Sequence, residues 1–365
     1  MKKIWILFLS VWILAAPVDA LDLEKVFLQE SGTAALEDGL PSEAREVLKD
    51  YDFLGTGDVD SLMVRLGEEI GRQFQKWLTG AARSAVVMLV IVTLCSLVSA
   101  FFPNGQAPGY VTIGGVLAIV TAVITDSDAF IQQGVETLYR LKDFSGLLLP
   151  CLAGAAAAGG ATVSAGAKYG AAMLFMHILL TVCVDWIAPL ISVYLACVIG
   201  RAAFESNAFT AMANLVKWVC LTALTLLVVV FTAYLSISGL ISASGDQLTT
   251  RFTRAAISTA LPVVGKMVSD AAATVVAGMG LVRNSIGIFG AIAVVCVGLT
   301  PFISMGLRYL LFKAAAAAAS IFPDQRFSAL IDGIGTAFGM MIAMTGTGVF
   351  MILISIISLL KVVGG

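Results

Sequence analysis

The sequence predicts an all-α, polytopic membrane protein with about six to eight transmembrane helices. The chain of 365 residues is 59% hydrophobic and only 13% charged, with a mean hydropathy of +0.96. Soluble domains carry roughly 25% charged residues, so the polar groups here are too few to cover a globular surface. Several apolar runs also approach the length of about 20 residues that a helix needs to cross a bilayer.

Residues 1–20 predict a secretory signal peptide. Lys2 and Lys3 supply the positive end, residues 4–16 the apolar core and residues 18–20 a small-residue cleavage site. A retained membrane anchor is the alternative, although the apolar run is short for a span. Cleavage would leave the next segment on the extracytoplasmic side.

Residues 21–82 predict an acidic extracytoplasmic head that ends in an amphipathic helix. Residues 21–76 carry a net charge of −7, whereas residues 77–365 carry +4. A short helix is predicted from about Ser42 to Tyr51, and apolar residues recur on one helical face from Asp58 onward. This second pattern favours a helix that lies on the membrane or on a partner, and it also fits a packed helix of a small domain.

Seven apolar runs of spanning length follow the head. They cover residues 84–102, 110–125, 145–167, 170–200, 218–243, 285–311 and 335–360, the second being short. The first two runs and a charged connector form residues 83–143. The connector is predicted to be a solvated loop and helix, and its charged residues are Asp126, Asp128, Glu136, Arg140, Lys142 and Asp143. The distribution of Lys and Arg between the loops does not decide the orientation of the spans.

An internal repeat is predicted in the remainder of the chain, with an offset of 112 residues and no gap. Residues 149–195 match residues 261–307 at 12 of 47 positions, including Leu149-Pro150 with Leu261-Pro262. The two repeat units are residues 144–255 and 256–365. Transport proteins are often built from such units, with the pathway at their interface.

Each predicted unit begins with a segment rich in proline and glycine, residues 145–167 and 257–282. We interpret both as broken or re-entrant helices, with a tilted span that packs through small residues as the alternative. The second unit is inverted if the segment crosses the membrane, and the units are parallel if it turns back. The candidate helix breaks or hinges are Pro150, Gly159, Gly160, Pro189, Pro262, Gly265, Gly278 and Pro301.

Few ionisable side chains lie in the apolar segments, and these are the candidate functional residues. His177 precedes Asp185 by eight residues, about two helical turns, so both lie near one face. They suit a proton- or ion-linked role, and a neutral histidine bonded between helices is the structural alternative. Lys266 and Asp270 are spaced to pair on a helix, or else to pair in an interfacial loop. Arg283 is a further candidate polar group.

No catalytic, cofactor-binding or metal-binding residues are predicted. One histidine and six cysteines without C-x-x-C spacing give no metal-ligand pattern, and the cysteines fit small core residues. No phosphate-binding glycine loop or nucleophile motif occurs. The chain also has no cluster of Lys and Arg with interleaved aromatics, so no nucleic-acid partner is expected.

The segment LPVVGKMVSDAAATVV at residues 261–276, followed by RNSIGI at residues 283–288, resembles the signature region of the stage III sporulation protein AE family. The resemblance extends more loosely over the whole length, and the acidic head is its weakest part. It implies a multi-pass protein of the mother-cell membrane that surrounds the forespore.

The same resemblance implies a non-enzymatic subunit of a channel or secretion-like complex that links mother cell and forespore and is required for forespore development. The implied partners are other membrane and ring-forming proteins of the same sporulation operon, an ATPase-like subunit among them, and a forespore protein across the intermembrane space. It implies no catalytic residues and no cofactor. Two alternatives remain: an ion- or proton-coupled secondary transporter that uses the intramembrane charges, and a membrane scaffold that anchors partner proteins.

Overall fold

The computed structural model describes residues 36, 38–45, 47–48, 59–101, 107–158, 162–204, 206–260 and 264–360. For residues 238–260 and 264–282 only the helical backbone is described. The predicted signal peptide and three of the predicted breaks, Gly159, Gly160 and Pro262, lie outside the described residues.

The described part of the chain is helical and contains no strand. Its helices are α1 (Ser42–Arg45), α2 (Val59–Phe101), α3 (Ala107–Ala158), α4 (Thr162–Thr181), α5 (Ala188–Phe204), α6 (Asn207–Ala260), α7 (Val264–Ala319) and α8 (Gln325–Leu360). A π-helical turn, Val182–Ile187, joins α4 to α5 in one continuous run. The predicted all-α class is confirmed.

Five helices of the described part are long and apolar enough to cross a membrane. They are Ile70–Phe101, Gly166–Phe204, Asn207–Ile237, Arg283–Ala319 and Gln325–Leu360. Gly109–Val123, near the start of α3, is a shorter apolar segment. The prediction of a polytopic membrane protein is therefore confirmed, whereas a count of six to eight spans stays a prediction.

Helix α8 lies at the centre of the bundle, where it packs against α3, α4, α5, α6 and α7. A helix that is apolar on all sides is suited to this position, because every face can be buried. Phe338 of α8 meets Phe130 of α3 and Phe312 of α7 edge to face, with ring centroids 5.5 and 5.3 Å apart. This aromatic cluster holds three helices together at one level of the bundle.

The run from α4 to α5 is antiparallel to α8. Lys168 of α4 bonds to the carbonyl of Ser358 near the end of α8, and Arg201 of α5 bonds to the carbonyl of Ala329 near its start. Helix α6 returns alongside this run. Its early residue Phe209 lies against Gly200 of α5, so α6 runs in the same direction as α8.

Helix α7 is also antiparallel to α8. Lys313, near the end of α7, bonds to Asp332, near the start of α8. Gly287, twenty-six residues earlier on α7, lies against Leu360 at the end of α8. The helices of the two predicted units, α4–α5–α6 and α7–α8, therefore follow the same directions.

These directions match the parallel arrangement of the two that the sequence left open. The helix boundaries do not follow the repeat, however. Helix α4 begins at Thr162, while its counterpart Thr274 lies inside α7. The duplication itself stays a prediction.

Four of the predicted breaks do not interrupt a helix. Helix α3 continues through Pro150, and α7 continues through Gly265, Gly278 and Pro301. The ring of a proline crowds the carbonyl four residues earlier, which for Pro150 belongs to Gly146. No heavy atom lies within 4 Å of a Cβ placed on Gly146, so this turn has room to adjust. A hinge role for these residues stays a prediction.

Pro189 follows the π-helical turn directly. The N–H of Ala188 donates to the carbonyl of Cys183, five residues earlier. This wider turn lets the helix continue past a residue that has no N–H to donate. The helix is therefore modified next to Pro189 and is not broken there.

One prediction for the first part of the chain is corrected, that for the connector. The charged connector is not a loop, because α3 passes through it without interruption. Its outward face carries an ion pair of 2.7 Å between Arg140 and Glu136, one turn apart. The amphipathic helix and the first span are likewise one helix, α2. The short helix predicted from Ser42 is described only as far as Arg45.

Candidate functional site: polar groups within the helical bundle

A polar network joins α7 to α8. Lys313 Nζ donates to Asp332 Oδ1 at 2.6 Å and to Thr336 Oγ1 at 3.0 Å. Asp332 and Thr336 are four residues apart on α8 and so face α7 together. The side chains of Lys313 and Asp332 are 31% and 50% exposed. The network therefore lies at the edge of the bundle, where a neighbouring molecule or water can reach it.

Helix α5 adds two residues to this network. Arg201 Nη2 donates to the carbonyl of Ala329 at 2.6 Å, and its buried Nε has no hydrogen-bond partner in the described part of the chain. Tyr194 is buried within hydrogen-bonding range of Thr336 and within electrostatic reach of Arg201 and Asp332. Lys313 and Arg201 thus both bond to the first turns of α8, where α5, α7 and α8 meet.

A second polar cluster lies at the start of α8. The Asp324 carboxylate accepts hydrogen bonds from the N–H of Arg326 at 3.1 Å and from Thr112 Oγ1 of α3 at 2.7 Å. It also pairs with Arg326 Nε at 3.0 Å. Burial by itself would raise the pKa of Asp324, but the hydrogen bonds from Thr112 and Arg326 and the charge of Arg326 hold it below its ordinary value. Asp324 therefore caps α8 as a charged carboxylate.

His177 and Asp185 are both exposed, and a functional role for them stays a prediction. Both side chains are exposed on the surface of the bundle, His177 on α4 and Asp185 in the π-helical turn. Eight residues separate them by about 12 Å along a helix. Neither forms a hydrogen bond or ion pair with another described residue, so the structure leaves both on a surface that the bundle itself does not cover.

The three candidates in the second unit are placed differently. Lys266 and Asp270 lie in the first turns of α7, but their side chains are outside the described residues. Their pairing stays a prediction. Arg283, on the same helix, is only 6% exposed, and its Nε has no hydrogen-bond partner in the part of the structure that is described.

The sequence did not predict the polar network around Lys313 and Asp332. A usable signal was present, because Asp332 and Thr336 recur at helical spacing in an apolar segment that follows a basic residue. What the sequence could not supply was the crossing of α7 with α8 that brings Lys313 to them. Lys168, a buried cation on α4, was missed in the same way.

The described residues contain no group of three or more His, Cys, Asp or Glu side chains that could hold a metal ion. Their polar groups are instead hydroxyls, carboxylates and cations distributed along helix crossings. Such groups can fix the positions of helices and can offer polar surface to a partner.

Comparisons with known proteins agree with the sequence motif. The family model described as stage III sporulation protein AE matches residues 46–362. A protein named stage III sporulation protein AE from Bacillus subtilis (strain 168) is 25% identical over 201 residues, which cover 55% of this chain. The matched part spans only about half (50%) of that relative's length. No solved structure matches the chain. Because the family model covers most of its length, this chain belongs to the stage III sporulation protein AE family.

Proposed function

We propose that the protein is a non-enzymatic integral-membrane subunit of a sporulation channel or secretion-like complex that links mother cell and forespore and is required for forespore development. The observation that carries this proposal is the family match over residues 46–362, which includes all five candidate spans. Its partners are other membrane and ring-forming proteins of the same operon, an ATPase-like subunit and a forespore protein across the intermembrane space.

Among the described residues, the five long candidate spans and the shorter apolar segment Gly109–Val123 fit a platform of six to eight spans. The parallel directions of α4–α5–α6 and α7–α8 fit two units related by an axis along the membrane normal. The hydrogen bond from Arg201 of α5 to the carbonyl of Ala329 of α8 joins the first predicted unit to the second. In this proposal it holds the two units in register.

A complementation experiment tests the sporulation role. The family member of Bacillus subtilis (strain 168) is deleted, and this chain is expressed in the mother cell as a fluorescent fusion. We expect fluorescence in the membrane around the forespore and recovery of heat-resistant spores. Fluorescence spread evenly over the cell membrane, with no recovery from a stably produced fusion, would contradict the proposal.

Purification separates the platform from the secondary transporter. The protein is isolated from sporulating cells in mild detergent, and the proteins that accompany it are identified. We expect other products of the sporulation operon at a constant ratio. If the protein is isolated alone, and vesicles that contain it alone show uptake driven by an ion gradient, the transporter is the correct assignment.

A further inference from the structure

Asp185 is an exposed carboxylate near the middle of the long apolar run formed by α4, the π-helical turn and α5. It lies on the outer surface of the bundle and forms no hydrogen bond or ion pair with another described residue. The nearest charged residues of the run are Lys168 on one side and Arg201 on the other. At 1.5 Å per residue, each lies about 25 Å along the helix from Asp185.

Hydrogen bonds to α8 fix the level of Asp185 in the bundle. Lys168 bonds to the carbonyl of Ser358 near the end of α8, and Arg201 bonds to that of Ala329 near its start. Asp185, midway between the two cations, therefore lies level with the middle of α8, where that helix carries no charged side chain. The hydrocarbon core of a bilayer is about 30 Å thick. Wherever it lies between the two cations, it includes Asp185.

An exposed carboxylate at this depth needs a partner that lipid cannot supply. Hydrocarbon tails have no hydrogen-bond donors, and a charged group that faces them is costly. Ionisable side chains within membrane spans therefore face protein or a water-filled cavity in almost all cases. Because the described bundle does not cover Asp185, another protein segment is the expected cover.

Three further polar side chains share the exposed face of the run with this carboxylate. We call the set the α4–α5 stripe, and its members are His177, Thr181, Asp185 and Ser192. On α6 the exposed hydroxyl of Thr225 donates to the carbonyl four residues earlier in its own helix, which is how a hydroxyl is satisfied beside lipid. Thr181 and Ser192 form no such bond within the described residues. The stripe thus presents unused hydrogen-bonding groups together with a charge.

Charge argues against a second copy of this chain as the occupant of the stripe. Copies of a membrane protein share one orientation in the bilayer, so a symmetric pair has its two-fold axis along the membrane normal. Each residue then meets its counterpart at the same depth, and two Asp185 carboxylates would repel each other. A helix with a basic side chain at this depth supplies the opposite charge, and the pair neutralises itself.

We propose that the α4–α5 stripe binds a transmembrane helix of another protein, and that this helix carries a basic side chain that pairs with Asp185. The hydroxyls of Thr181 and Ser192 bond to the same helix and fix its register. The contact requires only that the run from α4 to α5 crosses the membrane, and it does not depend on the sporulation role. Within the proposed complex, the partner is one of the other membrane subunits.

Binding of designed helices to the full-length protein in lipid nanodiscs tests this chemistry. The probes are two fluorescent leucine–alanine helices of about 22 residues, long enough to span the bilayer, with a central lysine or a central glutamine. Energy transfer to a label on the protein measures their affinities. We expect the lysine helix to bind about threefold to thirtyfold more tightly, the range for polar contacts between membrane helices.

Substitutions at Asp185 determine whether this preference comes from the stripe. Asp185→Asn should abolish the preference for the lysine helix, and Asp185→Glu should retain it. Asp143→Asn is the matched control, because it changes an exposed carboxylate on α3, and it should leave the preference unchanged. Equal binding of both helices by the wild type, or an undiminished preference in Asp185→Asn, would overturn the proposal.

Cross-linking in sporulating cells identifies the natural occupant. A photoreactive phenylalanine analogue replaces Trp186, which adjoins Asp185 and is 66% exposed, or Leu226 on α6, which is 61% exposed and serves as the control. We expect position 186 alone to cross-link to another membrane protein, through a helix that contains a Lys, Arg or His side chain. Asp185→Asn should abolish this product. A product with a second copy of the chain, with a helix that has no basic residue, or with no protein would overturn the proposal.

The two experiments separate this contact from the sporulation role. The designed helices require no sporulation protein, so their binding tests the stripe alone. If the stripe prefers the lysine helix but the chain fails to restore spores in the complementation experiment, the sporulation role is wrong and the stripe is not.

Discussion

At the scale of single residues, the buried and half-buried charges of this protein differ in how they are compensated. Lys313 has both a carboxylate and a hydroxyl as partners. Arg201 has one carbonyl, and its Nε has no partner in the described part. Asp324 is fully engaged, by a backbone N–H, a hydroxyl and a guanidinium. Charged groups with complete partner sets stabilise a helix crossing, whereas a buried charge with an incomplete set is costly.

Lys313 and Asp332 should be energetically coupled. We expect Lys313→Gln and Asp332→Asn each to lower stability, and the double variant to lose less than the sum, because each single change leaves the other charge without its partner. Half of the Asp332 side chain is exposed, so screening limits the coupling to about 0.2–1 kcal/mol. A double-mutant cycle of thermal or denaturant unfolding measures it. The control pair is Glu136 and Arg140, whose coupling energy should be smaller because the pair lies on an exposed helix face. Strict additivity at Lys313 and Asp332 would contradict the network.

Asp324 should make stability depend on pH in acid. The pKa of Asp324 is lower in the fold than in the unfolded chain. The charged carboxylate therefore stabilises the fold when the pH is above the ordinary pKa of an aspartate, and this contribution is lost as the pH falls through the lowered pKa. We expect Asp324→Asn to melt below the wild type at pH 7, with a loss of about 0.3–1 kcal/mol, because asparagine can still cap the helix and only the negative charge at its N-terminus is removed. The difference should shrink as the pH falls below about 4, the ordinary range of a carboxyl.

The control for this pH effect is Asp143→Asn, which changes an exposed carboxylate on α3. Its melting temperature should follow that of the wild type at each pH. A gap between Asp324→Asn and the wild type that stays constant from neutral to acid pH would show that the charge of Asp324 does not cap α8.

At the scale of helices, the central position of α8 depends on close approach by small residues. Gly298 of α7 lies against Val349 of α8, and Gly333 of α8 lies against Val198 of α5. In a bilayer the hydrophobic effect between helices is weak, so dense packing at such positions contributes much of the association. Of the glycines predicted as places where helices break, Gly265 and Gly278 lie within α7. Those that matter most for packing lie elsewhere in the sequence.

Gly298→Ala should therefore destabilise the α7–α8 contact. An added Cβ would collide with the side chain of Val349, whose β-branched shape gives it few alternative rotamers. We expect a loss of about 1–3 kcal/mol, typical of overpacking, measured by thermal unfolding in detergent. Gly306→Ala on the same helix is the control, because no atom lies within 4 Å of its added Cβ. Both changes alter helix propensity alike, so an equal effect of the two would exclude the packing explanation.

At the scale of the whole molecule, the helix directions make α4–α5–α6 and α7–α8 run in parallel. The connections from α5 to α6 and from α7 to α8 then lie at the same end of the bundle. The starts of α4 and of the candidate span on α7 lie at the opposite end. An inverted pair of units would place the two connections on opposite sides of the membrane.

Cysteine labelling in intact cells tests this topology. Single cysteines replace Ser206, Ser320 or Gly166 in a variant whose six native cysteines are changed to alanine. We expect a membrane-impermeant thiol reagent to treat Ser206→Cys and Ser320→Cys alike and Gly166→Cys oppositely. Labelling of all three after permeabilisation is the control. Opposite labelling of positions 206 and 320 in intact cells would establish the inverted arrangement.

Particular elements show how far the sequence could be interpreted. The runs predicted at 170–200, 285–311 and 335–360 all lie within described candidate spans, because a long apolar segment has few other stable environments. The segment at 145–167 was predicted to begin a new unit after the charged connector. In the structure, α3 runs without interruption through the connector to Ala158. A helix with charged residues on its exposed face can be mistaken for a loop when the sequence does not show which face is buried. Spacing placed His177 and Asp185 near one face but could not show that both are exposed on the bundle surface. Their functional role stays a prediction.

The sequence by itself determined that this protein is a polytopic helical membrane protein and that it resembles one sporulation family. Both conclusions follow from local properties of the sequence. A bilayer requires apolar segments of a certain length, and a family motif consists of neighbouring residues. Only the tertiary structure decided that α8 is central, that the helix pairs run in parallel, and that Lys313 meets Asp332 while Lys168 approaches the end of α8. These facts depend on contacts between residues far apart in the chain, and apolar helices of similar composition give no sequence signal of which neighbour each will choose.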